Sequence, residues 1–139
     1  MQDGVIAVIA DSGNHRLALW RLRDGSLWKH IGSKGRRLGQ FGYPQAVATT
    51  SQNALIVADS HTVQVLTLDG AALCMLDSSA ITGVERLGLG LYGVAVCPNT
   101  DDILVTDYDN HRIVALTWTV ASDTVRISFD SEVRLSSWT

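Results

Sequence analysis

The sequence predicts an all-β chain of β-propeller blades, each built of four antiparallel strands, and three observations carry that prediction. Asp11, Asp59 and Asp107 stand 48 residues apart in both steps, and a fixed interval of that size marks a structural repeat. Each aspartate opens a related turn: Asp11-Ser12-Gly13-Asn14-His15-Arg16-Leu17, the shorter Asp59-Ser60-His61-Thr62-Val63, and Asp107-Tyr108-Asp109-Asn110-His111-Arg112-Ile113. Around every turn lie short segments of Val, Ile, Leu and Ala bounded by polar turn residues, and such segments read as strands. Four strands in a repeat of roughly 40 to 50 residues are the signature of a propeller blade.

In chain order, the first repeat opens on Val5 to Ala10, passes the motif turn into Leu17 to Leu22, and finishes through Asp24-Gly25 into Leu27 to Ile31. It lacks the opening strand of the other two. Gly32 to Pro44 follows, too rich in glycine for regular structure, and reads as the crossing from the outer strand of one blade to the inner strand of the next. The second repeat has Ala46 to Thr50, the turn Ser51-Gln52-Asn53, Leu55 to Ala58, its worn motif turn, Val63 to Leu68 with clean alternation, the hairpin signal Asp69-Gly70, and Ala72 to Leu76. The third matches it with Gly93 to Val96, Ile103 to Thr106, Ile113 to Trp118 and Val125 to Phe129. The blades thus cover about 4–32, 44–78 and 91–130, and the alternating segment Glu132 to Trp138 reads as a further strand. A ring closes at four to eight blades, so at this period it needs roughly 190 residues or more, against 139 here. A segment of a larger propeller is the first reading; the second is assembly of copies, because three blades expose sheet edges at both ends and should self-associate or gain blades.

An apolar share of 46 % is that of a globular protein and argues against disorder. No run of about 18 apolar residues is present, so no membrane span is expected. Met1-Gln2-Asp3-Gly4 offers no basic region before a long apolar one, so no signal peptide is read and the cytoplasm is the default compartment. Cys74 and Cys97 fall in different repeats without metal-binding spacing, and read as buried free thiols. The net charge of −3 conceals an asymmetry: residues 1–50 carry seven Lys or Arg against three Asp, a balance of +4. A uniformly basic nucleic-acid surface is disfavoured, while a local basic patch is allowed.

Gly39-Gln40-Phe41-Gly42-Tyr43-Pro44 followed by Leu55-Ile56-Val57-Ala58-Asp59-Ser60, together with the tripeptides Asn14-His15-Arg16 and Asn110-His111-Arg112, resembles the NHL-repeat family. Its repeats typically read G-x-F-x-x-P, an apolar strand, then V-A-D-S-x-N-H-R-[IV]. The resemblance covers residues 5 to about 118. It departs in the second repeat, which has lost two residues including the Asn and Arg of the tripeptide, and in the third, where Leu91-Tyr92 aligns with Tyr43-Pro44. The resemblance implies an aromatic packed under the crossing loop at Phe41. Some NHL propellers bind RNA through a positive rim face, and some, such as amidating lyases, are enzymes with a metal in the central channel. None of the residues of such an enzyme can be carried over to this chain.

Successive strands of a blade run antiparallel, so the motif turns and the blade crossings emerge on one rim. The motif residues Asp11, Asn14, His15, Arg16, Asp59, Asp107, Asn110, His111 and Arg112 read as structural, because Asp and Asn tolerate left-handed backbone and bond their own turn. His15 and His111 recur with the repeat and have no carboxylate or histidine companion at ligand spacing, so no metal site, catalytic residue or cofactor is assigned. Catalytic motifs such as G-x-S-x-G and HExxH are absent from the sequence. Candidate binding residues are the loop cations Lys34, Arg36 and Arg37, with Tyr43 and Tyr92 as aromatic platforms. The expected function is a non-catalytic module that presents this rim to a protein partner; the alternatives are RNA binding through the basic loop, and a segment of a propeller enzyme or sensor.

Overall fold

The computed structural model describes residues 4–60, 62–77, 90–121 and 124–134. These form three antiparallel sheets. The first holds β1 (Ile6–Asp11), β2 (Arg16–Arg21) and β3 (Ser26–Ile31). The second holds β4 (Pro44–Thr49), β5 (Leu55–Asp59), β6 (Thr62–Leu66) and β7 (Ala72–Asp77), and the third β8 (Leu91–Val96), β9 (Ile103–Asp107), β10 (Arg112–Ala121) and β11 (Thr124–Arg134). Strands pair in sequence order within every sheet, so the chain meanders across each blade and then crosses to the next. This is the β-propeller architecture expected from the repeat, with the first sheet lacking the inner strand that β4 and β8 give the others. β4 lies beside β1 on one side and β8 on the other, and among the described residues the three sheets do not close a ring.

Stability comes from the layers between sheets. Leu55 and Val57 of β5 point into a layer shared with Leu17, Leu19 and Ile31 of the first sheet, while Ile56 and Ala58 enter the layer built with Leu91, Ile103, Val105, Val114 and Leu116 of the third. The second sheet is therefore buried on both faces, and β5 and β6 are buried along their whole length. Of the valines at alternating positions, Val57, Val65 and Val105 are fully buried and Val47 and Val94 pack half-buried against the same layers. A fully buried Leu, Ile or Val contributes about 1.5–3 kcal/mol relative to an exposed one. A blade without its neighbour forfeits most of that, which is why the repeat must stack.

The turns follow their residues. Gly25 and Gly70 of the two Asp-Gly turns take positive φ (71° and 102°), as do Asn53 (63°) and Asp101 (59°) in the hairpins between first and second strands. Asp101 also ties neighbouring blades together: its carboxylate accepts from the Ser51 backbone N–H at 3.0 Å and from Ser51 Oγ at 2.6 Å. The Ser51 hydroxyl first, and its backbone N–H second, hold the Asp101 carboxyl below the ordinary aspartate range. A carboxyl whose folded pKa is depressed stabilises the fold above its unfolded value and loses that contribution as pH falls through the folded one. Thermal stability should therefore decline on acidification below about pH 4, with a shallower decline in Asp101→Asn; equal slopes in the two proteins would remove the link.

Three expectations need correcting. The left-handed residue of the motif turn is the histidine, not the Asp or Asn: Ser12–Asn14 and Tyr108–Asn110 each form one 3-10 turn, closed by His15 (φ 57°) and His111 (φ 53°). The Asp and Asn side chains bond each other across that turn, which leaves the next residue to reverse the chain. Glu132–Arg134 does not begin a separate strand but continues β11, pairing with Arg112–Val114 past a bulge at Ala115/Leu116; residues 135–138 lie outside the described residues. Cys74 and Cys97 are free thiols, half-buried rather than buried.

Candidate functional site

The motif turns differ in what their aspartates hold. Asp11 accepts from Asn14 Nδ2 (3.1 and 3.0 Å) and Arg16 Nε (3.1 Å). The Asn14 amide, with Arg16 adding to it, lowers the Asp11 carboxyl below its ordinary value. That pair is about one-third exposed and contributes little. Asp107 makes the same bonds, from Asn110 Nδ2 (3.0 Å) and Arg112 Nε (2.8 Å), but both side chains of its ion pair are wholly buried. Asp59, whose turn has no Asn or Arg, is buried and accepts three backbone N–H bonds instead: Gly42 (2.7 Å), Tyr43 (2.6 Å) and Ser60 (3.0 Å).

Those bonds fasten the crossing from β3 to β4. The second-sheet aspartate takes the N–H groups of Gly42 and Tyr43, while the first-sheet motif takes carbonyls of the same segment: His15 Nδ1 donates to Gly42 O and Ser12 Oγ to Pro44 O. A carbonyl only accepts, so this bond requires the tautomer of His15 with a proton on Nδ1. One motif thus grips the entry strand of the following blade; at the next junction the bond runs the other way, the backbone N–H of Leu91 donating to Ser60 O at 3.1 Å. Further back along the loop, Gln64 of β6 accepts from Gly39 N–H and donates to Gln40 O, both at 2.8 Å. Phe41 is fully buried below, its ring so close to Gly32 (φ 97°) that a Cβ there would stand 2.4 Å from it.

Held in this way, the loop forms one wall of a cleft of about 250 Å³ lined by Lys34, Arg36, Gln40, Tyr43, Asp59 and Thr62, with Met75 of β7 also on its lining. The exposed Lys34 and Arg36 bring positive charge to it, Tyr43 is exposed beside His15 with ring centroids 5.4 Å apart, and the buried Asp59 brings a carboxylate. Three of the five residues expected to bind line this cleft. Arg37, exposed on the same loop, is not among the lining residues, and Tyr92, 55 % exposed on the third sheet, packs edge-on against Tyr108 at 5.6 Å. Gln40, Gln64, Asp59 as a cap, Thr62 and Met75 were not singled out by sequence. The one signal for Gln64 is an amide side chain between two valines in a strand whose blade has neighbours on both faces.

No group of His, Cys, Asp and Glu suited to a metal ion occurs among the described residues, and no helix among them is long and apolar enough to cross a membrane. Residues 93–116 match the NHL-repeat family model. No curated protein matches the chain in sequence. In fold the chain is similar to Hsv2 of Kluyvelomyces marxianus (14 % identity, TM-score 0.66, covering 94 % of this chain and 42 % of that one) and to U3-55K (14 %, 0.64, 94 % and 38 %). It is also similar to the WD40 domain of SCAP from fission yeast (12 %, 0.55, 96 % and 34 %). The chain spans less than half the length of each of these structures, and at these identities the likeness is one of fold.

Proposed function

We propose that the chain is a non-catalytic interaction module that docks a protein partner on the motif-bearing rim. The observation that carries this reading is the cleft beside Tyr43, where two exposed cations, an exposed aromatic, a thioether and a buried carboxylate line one concavity. Mixed polar and apolar chemistry of this kind suits protein side chains: aromatic and methionine surface supplies contact area, and the charges supply orientation and steering. The Asp59 carboxylate of the cleft is fixed by backbone N–H bonds from Gly42, Tyr43 and Ser60, so a partner meets a preorganised acceptor.

A photo-crosslinking amino acid at position 43 tests this in cells. Discrete protein adducts are expected, falling at least tenfold when Lys34, Arg36 and Arg37 are replaced together by Ser, while the melting midpoint stays within about 2 °C because the loop is a surface one. Adducts that persist in the Ser variant would overturn the reading. So would adducts to RNA alone, accompanied by binding whose log affinity falls with log salt by about 0.7 per phosphate contact.

A further inference from the structure

We propose that the cleft receives an arginine side chain of the partner protein, which takes the place beside Asp59 that the repeat's own arginine holds beside Asp11 and Asp107. This deepens the rim-docking reading and rests on it. The strand register makes the comparison direct: Asp11 pairs with Arg16 and Asp107 with Arg112, while the residue opposite Asp59 is Thr62. The second motif turn is two residues shorter and its guanidinium is gone. What it leaves is a cleft at the same carboxylate.

Two further observations point to a donor from outside the chain at that position. Among the described residues no cationic side chain forms an ion pair with Asp59, whereas both sister aspartates have one. Its carboxylate accepts two N–H bonds at Oδ1 and one at Oδ2, and since a carboxylate has about four acceptor sites, one remains on Oδ2. Thr62, 9 % exposed and lining the same cleft, has a buried Oγ1 with no hydrogen-bond partner. A buried hydroxyl without a partner is uncommon enough to require an explanation. A guanidinium suits neighbouring acceptors of this kind better than an ammonium, because its donors are spread across a planar fork, whereas a single ammonium presents a compact point charge.

Charge complementarity sets the rest of the ligand. Lys34 and Arg36 also line the cleft, so an isolated cation is repelled there. The chemistry that fits is an arginine flanked by acidic residues: carboxylates for Lys34 and Arg36, the guanidinium for Asp59.

The probe is the peptide acetyl-Glu-Arg-Glu-amide, compared with acetyl-Glu-Gln-Glu-amide, titrated into the full chain while the backbone amide signals of Gly42, Tyr43 and Ser60 are followed by NMR. The arginine peptide is expected to shift all three saturably and to bind at least tenfold more tightly than the glutamine peptide, with Asp59→Asn and Thr62→Val each weakening it at least threefold. Thr62→Val removes only the hydroxyl at nearly constant shape, so it keeps the test valid if Asp59→Asn loosens the loop. Equal affinity for the two peptides, or no saturable shift at concentrations on the order of 10 mM, would overturn the inference. Equal binding of both that is lost in Lys34→Ser/Arg36→Ser would overturn the arginine assignment alone and leave rim docking intact. Failure of the position-43 crosslink would instead remove the docking reading itself.

Discussion

Asp107→Ala is expected to destabilise the chain by about 3–5 kcal/mol, the range for stranding one member of a buried ion pair. The side chains of Asp107 and Arg112 are both wholly buried at 2.8 Å, so the substitution takes a buried carboxylate away from a buried guanidinium. The sister substitution Asp11→Ala removes the same motif bond from a pair about one-third exposed and should cost far less, since exposed pairs contribute little. Urea unfolding of the two variants side by side reads the difference directly. Similar midpoints for both would mean that burial does not decide what the motif contributes.

Phe41→Ala should be comparably severe, about 3–5 kcal/mol, because a fully buried aromatic leaves both its transfer energy and a cavity behind. Phe41 fills the layer between the first and second sheets with Leu17, Leu19, Ile31 and Leu55. Its own backbone carries two of the bonds that fold the crossing loop, N–H to Ser33 O and carbonyl to Gly35 N–H. The loss should therefore reach beyond stability: the wall that carries Lys34 and Arg36 loses its anchor, and crosslinking at position 43 should fall with it. Denaturant unfolding and the crosslink yield measured on the same preparation separate the two consequences. A variant that unfolds with the parent midpoint would show that the ring is not the anchor.

The repeat made the architecture legible. Three aspartates at one interval, the Asp-Gly turns at Asp24-Gly25 and Asp69-Gly70, and a shared rim for motif turns and crossings all follow from local chemistry repeated three times. What escaped was whatever depended on a neighbour. Val63-Gln64-Val65 alternates, and alternation ordinarily signals one wet face, yet the second sheet is covered on both sides and Gln64 is buried to hold the crossing loop. Asp59 belonged visibly to the motif, but with Asn and Arg missing from its turn it caps backbone N–H groups 16 and 17 residues upstream. A long-range role of that kind leaves no local mark in the sequence. Thr62 gave no signal because its importance lies in what it replaces, and that emerges only when the registers of the three sheets are set side by side. The C-terminal strand was read short because Asp130 is an extra residue in β11 opposite Ala115/Leu116, which shifts the alternation of β11 itself.

The rim turns hold the crossing loop, and with it the cleft wall, in place. Amide hydrogen exchange at Gly42 and Tyr43 tests this most directly, since those two N–H groups donate to Asp59. Both should exchange slowly in the parent chain. In Asp59→Asn, which keeps the shape but leaves one carbonyl oxygen where two carboxylate oxygens stood, one of the two N–H groups loses its acceptor, Gly42 if the oxygen at Oδ1 is kept and Tyr43 if the one at Oδ2 is; a deprived N–H costs about 1–3 kcal/mol, and exchange at that position should accelerate roughly tenfold or more while amides in β9 and β10 are unchanged. Unaltered protection of Gly42 and Tyr43 in that variant would contradict the claim.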